Sequence, residues 1–380
     1  MRTLILGGYG NFGQRIARAL AGEINIELLI AGRDAQRAQA LAAQLGGRAQ
    51  GLGLDLSAPE LARQLRQLGV QLVIHTAGPF QQQDYGVAHA AAAAGAHYID
   101  LADGRRFVCD FAPAMDAAFR DAQRSAVSGA STVPALSSAV VDQLCARWQR
   151  IDSIDICIAP AQTAPRGRAT LAAVLNYCGE PIQVLRQGQW QALRGWAAPT
   201  WVHFARLRPR RGALCDIPDL ELFPAHYHVR QEVMFRAGLE VGLTQRVFAL
   251  LARLRAWGLL ARPAMLAGPL HTLAPILDLL GSHLGGMVLR VQGLDATGHL
   301  VRRAWHIAAD HDHGPQIPCM AAILLARRLA GAGNLPHGAM TAVGLLALSE
   351  FEPELARWGM VTDIRDETAQ AEPNNPRVIA

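Results

Sequence analysis

The chain has 380 residues, a net charge of +5 and 51% hydrophobic residues, room for two or three domains with sizeable cores. All 36 basic side chains are arginine, and the absence of lysine excludes Schiff-base chemistry, a pyridoxal site and the Tyr-x-x-x-Lys pair of short-chain dehydrogenases. The positive charge is scattered. Its densest group, Arg206, Arg208, Arg210 and Arg211, has no repeating basic or aromatic register beside it, which argues against a nucleic-acid partner and reads as a solvated loop.

Residues 3–6 are a short apolar run suited to a buried parallel strand, and Ile16, Ala17 and Leu20 mark one face of a helix over 14–20. Between them Gly8, Gly10 and Gly13 fall in the spacing G-x-G-x-x-G. Strand, glycine turn and helix together give that spacing meaning. Gly8 is read as permitting the tight turn, Gly10 as letting the backbone approach a pyrophosphate, and Gly13 as letting the helix pack close to the strand. The free N–H groups near Asn11 and Phe12 then offer an anion site.

Residues 27–30 form the next expected strand, ending at Arg33 and Asp34. In a dinucleotide site this position meets the adenosine ribose: a carboxylate bonds the 2′-hydroxyl of NAD, and an arginine accepts the 2′-phosphate of NADP. Arg33 and Arg37, one helical turn apart, favour NADP, with NAD as the alternative and Asp34 as cap of a helix over 35–45. Asp55, after a strand over 48–52, either borders the adenine or serves as a turn acid before a helix over 58–68. The strand over 70–75 runs into Thr76, Ala77, Gly78, Pro79 and Phe80, expected on the nicotinamide side. Ligands of open parallel sheets lie beyond the C-terminal strand ends. An alanine-rich helix over 84–94 follows. The strand over 97–99 then delivers Tyr98, Asp100 and Asp103 to the same edge, as proton-transfer groups or as strand-end hydrogen-bonding groups. Helices are expected over 107–125 and 135–149, with a short strand at 126–127 between them.

From residue 151 the pattern alternates, as in a strand covered on one face, and later strands are expected at 200–206, 229–239, 286–292 and 299–309. The last two are joined by a hairpin-like turn, and few connections are long enough for parallel crossovers. Helices over 169–177 and 243–257 would cover this sheet, with further helices over 317–329 and 338–348 and a loosely ordered tail from Arg365. Arg166 and Arg168 are candidates for binding an acidic substrate group, against a plain solvated loop. His306, His311 and His313 cluster with Asp310 and Asp312, but their spacing suits a turn better than a metal-binding face, and no metal is expected. The six cysteines include no C-x-x-C pair.

The opening residues carry no signal-peptide pattern, and the most lipid-like stretch, 263–277, is short and broken by Pro263, Pro269 and Pro275. The expectation is a soluble cytoplasmic protein with no membrane span. The apolar stretch 249–280 leaves open a membrane-touching helix pair or a lipid-acting reductase.

The segments GGYGNFG, HTAGPF and AHAAAAAGAHYIDLAD resemble the nucleotide-binding domain of the saccharopine dehydrogenase-like oxidoreductases. The turn from Gly129 to Leu136 is similar to that family's Gly-x-x-x-x-Pro-Gly turn, with Ala135 where many members have glycine. The likeness covers about residues 1–141 and thins beyond. It implies an α/β fold: a Rossmann-type doubly wound parallel sheet over 1–141, a second α+β domain over 142–314 with a mixed, mostly antiparallel sheet, and C-terminal helices over 315–380. It also implies an NADP-dependent oxidoreductase acting on a C–N or C=C bond of a small-molecule substrate, and a homodimer. A nucleotide-bound sensor or scaffold without turnover is the rival from another class. Any family mechanism that uses a lysine cannot carry over to this chain.

Overall fold

The computed structural model describes residues 1–165, 168–331 and 333–368. Strand and helix alternate at first: β1 (Arg2–Leu6), α1 (Gly13–Leu20), β2 (Glu27–Gly32), α2 (Ala35–Leu45), β3 (Ala49–Gly53), α3 (Leu61–Gln67), β4 (Leu72–His75), α4 (Gly86–Ala93), β5 (His97–Asp100), α5 (Arg105–Cys109), α6 (Phe111–Asp121), β6 (Ser125–Ser128) and α7 (Ser137–Cys145). Then come β7 (Arg150–Ala159), α8 (Arg168–Asn176), β8 (Pro181–Arg186), β9 (Gln189–Arg194), β10 (Thr200–Val202), β11 (Arg210–Leu214), α9 (Asp219–His226), β12 (Glu232–Leu239), α10 (Gly242–Ala256), α11 (Ala267–Asp278), β13 (Gly285–Leu294) and β14 (Leu300–Ala309). The chain closes with α12 (Ile317–Ala330), β15 (Gly338–Thr341), α13 (Leu348–Arg357) and β16 (Val361–Asp366).

The first sheet has seven parallel strands in the order β15-β6-β5-β4-β1-β2-β3. Its central strands are buried and mostly apolar because both faces are covered. Leu4, Leu6 and Val73 enter one core with Met115 and Phe119; Ile5 and Ile74 enter the other with Ile16, Leu20 and Val127. Strand order reverses between β1 and β4, and the crevice beyond their C-terminal ends is where such sheets bind ligands.

The second sheet also has seven strands, β10-β11-β12-β7-β13-β14-β16, antiparallel except for the parallel pair β12–β7. The α/β architecture with a mixed, mostly antiparallel second sheet is therefore as expected. The β13–β14 hairpin stands where the sequence placed it.

Several local expectations are corrected. Residues 338–348 are not a helix. Gly338, at φ +114°, opens β15, which pairs in parallel with β6. Helix-forming residues lose here to sheet pairing, because the edge of β6 offers a ladder that only the folded chain presents. The tail from Arg365 is ordered at least to Thr368: β16 pairs with β14, and Glu367 accepts from Arg290 Nε at 2.8 Å. The helix expected over 107–125 is two helices that meet at Asp110, and β10 ends at Val202. Within the arginine group read as a solvated loop, Arg210 lies buried in β11 and donates to the carbonyls of Pro160 (2.7 Å) and Leu284 (2.8 Å). Arg206 makes a two-pronged pair with Asp363.

Candidate active site

Four glycines build the first turn. Gly7, not Gly8, takes the left-handed backbone, at φ +74°. A Cβ on Gly8 would meet Ile30 Cγ2 at 2.8 Å, so Gly8 is small because it packs on β2. A Cβ on Gly13 would fall 2.3 Å from the Gly7 carbonyl oxygen and 2.7 Å from Gly8 Cα, so α1 sits directly on the turn. Gly8 N–H donates to Ala31, Gly10 N–H to Gly7 and Gln14 N–H to Gly10. Among the described residues, Asn11 and Phe12 N–H have no backbone partner, and no side chain caps α1. A positive helix end with free donors suits a pyrophosphate.

At the end of β2, Arg33 is exposed and close enough to Asp55 to interact with it. Asp34 caps α2 by accepting from Arg37 N–H, so one of its carboxylate oxygens is committed to the helix. Arg37 lies over the Tyr9 ring, 4.6 Å from its centroid, and Asp34 N–H donates to the Tyr9 hydroxyl at 3.0 Å. Tyr9 covers Gly32, where a Cβ would come within 2.5 Å of its ring. Tyr9 was missed because it stands at a variable position of the glycine motif. Asp55 accepts from Ser57 Oγ and N–H, which lower its pKa, and Arg33 adds to the lowering. It is a turn acid.

The loop after β4 is tied to the glycine turn. Thr76 Oγ1 donates to the carbonyl of Leu6 at 2.8 Å, and the Gln83 amide donates to the carbonyls of Ala77 (2.7 Å) and Pro79 (2.9 Å). Gly78 and Pro79 are exposed, while Phe80 is buried edge-on against His75 at 5.0 Å. The loop is thus anchored at both ends and presents its middle to the crevice.

The three residues read as proton-transfer groups separate. Tyr98 and Asp100 are buried, 1% and 0% exposed, without surface for a substrate. Asp100 Oδ1 accepts from Ala102 N–H, Ser128 Oγ and Gly129 N–H, fastening the end of β5 to the end of β6. Burial raises its pKa to about 6 against those hydrogen bonds. Tyr98 Oη lies 3.1 Å from His75 Nδ1, and burial holds the phenol well above its ordinary pKa. Burial also lowers His75 to about 4, so the imidazole is neutral. The strand-end reading is the one this geometry fits for Tyr98 and Asp100.

Asp103 is solvent-exposed, yet it lies in a recess ringed by protein, which raises its pKa; Gln81 Nε2 donates to it at 3.1 Å. Close enough for their charges to interact is Tyr177 from the second half of the chain, just after α8. Burial, then the carboxylates of Asp103 and Asp216, push the Tyr177 phenol up, and the Gln81 amide partly offsets them. Arg105, two residues on from Asp103, is buried and reaches Asp216 (3.1 Å), Glu221 (2.9 Å) and the Gln183 carbonyl (2.8 Å). Tyr177 and Asp216 were not legible in the sequence, since only the docking of the two halves brings them to Asp103. Arg166 lies outside the described residues. Arg168 opens α8.

The histidine group does not converge. His306 Nδ1 accepts from Ala205 N–H within the second sheet, His313 Nδ1 donates to the Trp358 carbonyl, and His311 is exposed. A cavity of about 360 Å³ between α1, α12 and α13, lined by Arg15, Arg18, Glu354 and Trp358, contains no residue of the Gly78 loop or of the recess.

The first sheet is doubly wound with a glycine turn at its switch point, and a mostly antiparallel second sheet accompanies it. Residues 3–134 match the family described as saccharopine dehydrogenase NADP binding domain. The match falls within the stretch whose motifs resemble that family. Among solved structures it is similar to apo saccharopine dehydrogenase (L-Glu forming) from Saccharomyces cerevisiae, with 14% identity and a TM-score of 0.66 over 96% of this chain and 99% of that one. It is also similar to an engineered D-amino acid dehydrogenase bound to NADP+, with 16% identity and a TM-score of 0.46 over 94% of this chain and 98% of that one. A comparison with curated proteins finds no match. Among the described residues no helix is long and apolar enough to cross a membrane.

Proposed function

We propose that this protein is an NADP-dependent oxidoreductase that moves a hydride to or from a C–N or C=C bond of a small metabolite. The observation that carries the reading is the seating of Gly13 against the Gly7 carbonyl, with the Asn11 and Phe12 N–H groups free, beside a loop anchored to the same turn through Thr76. The residues fit a dinucleotide. Gly8, Gly10, Asn11, Phe12 and Gly13 would hold its pyrophosphate, and Arg33 its 2′-phosphate. Thr76, Ala77, Gly78, Pro79 and Phe80 would border its nicotinamide, which supplies or accepts the hydride when bound. Arg37 would act by holding Tyr9 over the end of β2, and Arg168 remains a candidate for an acidic substrate group.

In this reading Asp103 and Tyr177 touch the substrate. Tyr177 is a phenol, protonated at neutral pH, and can donate to the substrate, while Asp103 suits the opposite role. Tyr98 and Asp100 act from below by holding the β5 and β6 loops in place. The expected homodimer stays part of the proposal. The second sheet ends in the edge strands β10 and β16, either of which can pair with a copy of itself, and light scattering at micromolar concentration measures it.

The test is a fluorescence titration with NADPH and NADH, followed by a screen for NADPH oxidation over imines, keto acids and enoyl compounds. Binding of neither nucleotide overturns the reading. Tight binding without turnover of any substrate class favours the sensor.

A further inference from the structure

We propose that the segment carrying α10 and α11 docks this protein on the surface of an anionic lipid bilayer. Along α10 and its C-cap, the residues Leu243, Arg246, Leu250, Arg253 and Trp257 recur at alternating steps of three and four. At about 100° per residue they fall within an arc of roughly 80°. Gln245, Phe248 and Ala252 are buried on the opposite side of the helix. The outward stripe is therefore a row of apolar side chains interleaved with arginines. Trp257 is 68% exposed. The same segment continues with exposed Leu259 and Met265, and the end of α11 turns out Ile276, Leu279 (85% exposed) and Leu280. Single exposed apolar residues are ordinary, but eight in one short segment are not.

Charge selects the occupant. From Val241 to Leu277 the chain has no acidic residue, while Arg246, Arg253, Arg255 and Arg262 are all in this stretch. Arg255 is held by Glu180; Arg246, Arg253 and Arg262 have exposed side chains. Pairing two copies through a two-fold axis would set these arginines near their own counterparts, and no carboxylate lies between Val241 and Leu277 to offset them. A sheet of anionic headgroups over acyl chains answers both halves of the pattern. Leucine, methionine and tryptophan enter the acyl boundary, and arginines reach up to the phosphates along their own aliphatic stems. The helices lie on the bilayer rather than cross it: the 15 residues of α10 reach only about 22 Å, against a hydrocarbon core of about 30 Å. The docked face is close to the recess, since α8, which ends just before Tyr177, packs against α11 and the turn at Pro263–Leu266. Docking stands whether or not the redox reading does.

The test is co-sedimentation of the full chain with vesicles of phosphatidylcholine alone and of phosphatidylcholine mixed with phosphatidylglycerol. Partition onto the mixed vesicles should be at least ~10-fold stronger, since each arginine near an anionic surface contributes. The triple variant W257S/L279S/L280S should lose binding to both compositions. R246Q/R253Q/R262Q should lose the preference for the anionic one. All six side chains are exposed, so circular dichroism and thermal unfolding should match wild type in both variants. Absence of binding to mixed vesicles, or equal binding by wild type and the serine variant, overturns the proposal. A dimer that dissociates in the serine variant while neither form binds vesicles overturns it too and assigns the face to a second copy.

Discussion

The carbonyl oxygen of Gly7 stands 2.3 Å from where a Cβ on Gly13 would sit. The oxygen is backbone and a Cβ is fixed rigidly to backbone, Gly7 is held by its positive φ and by Thr76, and neither side can yield cheaply. G13A should therefore push α1 off the turn, weaken NADPH binding by at least ~100-fold and lower the thermal midpoint, as overpacking costs roughly 1–3 kcal/mol. Nucleotide titration and a melting curve check it; unaltered affinity would remove the turn from the nucleotide site.

Arg33 is the cation at the end of β2 that is neither stacked on Tyr9 nor committed to a helix cap. R33A should cost about 1–3 kcal/mol of NADP affinity, the size of a charged hydrogen bond, and leave NAD nearly unchanged. Titrating both nucleotides against both proteins decides it. An equal loss for the two would mean that Arg33 does not read the 2′-phosphate.

Tyr177 lies near enough to Asp103 for that carboxylate to raise its phenol pKa, and each is predicted to matter differently. Once a substrate is found, Y177F should reduce kcat by ~100-fold or more, the usual scale of a lost general acid, with little change in nucleotide affinity. D103N should flatten the acidic limb of the rate profile. Burial raises the Asp103 pKa, so wild-type activity should climb as this group ionises above the ordinary carboxylate range. Full activity of both variants would return the recess to a structural role.

Asp219 is buried where α9 meets α7, with Ser137 Oγ donating to its Oδ1 at 2.8 Å. Burial lifts its pKa from 3.8 to about 7. Between those values the folded protein holds a proton that the unfolded chain has released, so this group's contribution to stability falls as pH rises. The neutral histidines His75 and His97, both lowered to about 4, act in the opposite sense between that value and 6.5. D219N isolates the first effect. Its melting temperature relative to wild type should increase steadily from pH 4 to pH 7. A constant difference across that range would show that Asp219 does not titrate there.

The order of elements through the first sheet was legible because each strand there is buried on both faces by its own apolar residues, and each turn carries its own glycine or capping acid. Arg33 after β2 and the Gly78–Phe80 loop after β4 follow from strand order alone. The roles within the glycine turn were only partly legible: Gly7 carries the left-handed backbone, which the motif spacing assigns to Gly8.

What the sequence determined by itself is whatever one segment settles with its own side chains: the hairpin of β13 and β14, the cap at Asp34, the family likeness of residues 3–134. Tertiary structure alone decided which segments meet. Residues 338–341 became a strand because β6 had an open edge. Arg210 is buried because the carbonyls of Pro160 and Leu284 receive it. Tyr98 and Asp100 went inside while Asp103 stayed in the recess, although they are near neighbours in sequence. Tyr177 and Asp216 joined Asp103 only through the docking of two sheets. Local pattern reports how one segment hides its own apolar surface. The partners of a polar side chain lie dozens to hundreds of residues away, and their distance is set only when the whole chain has packed.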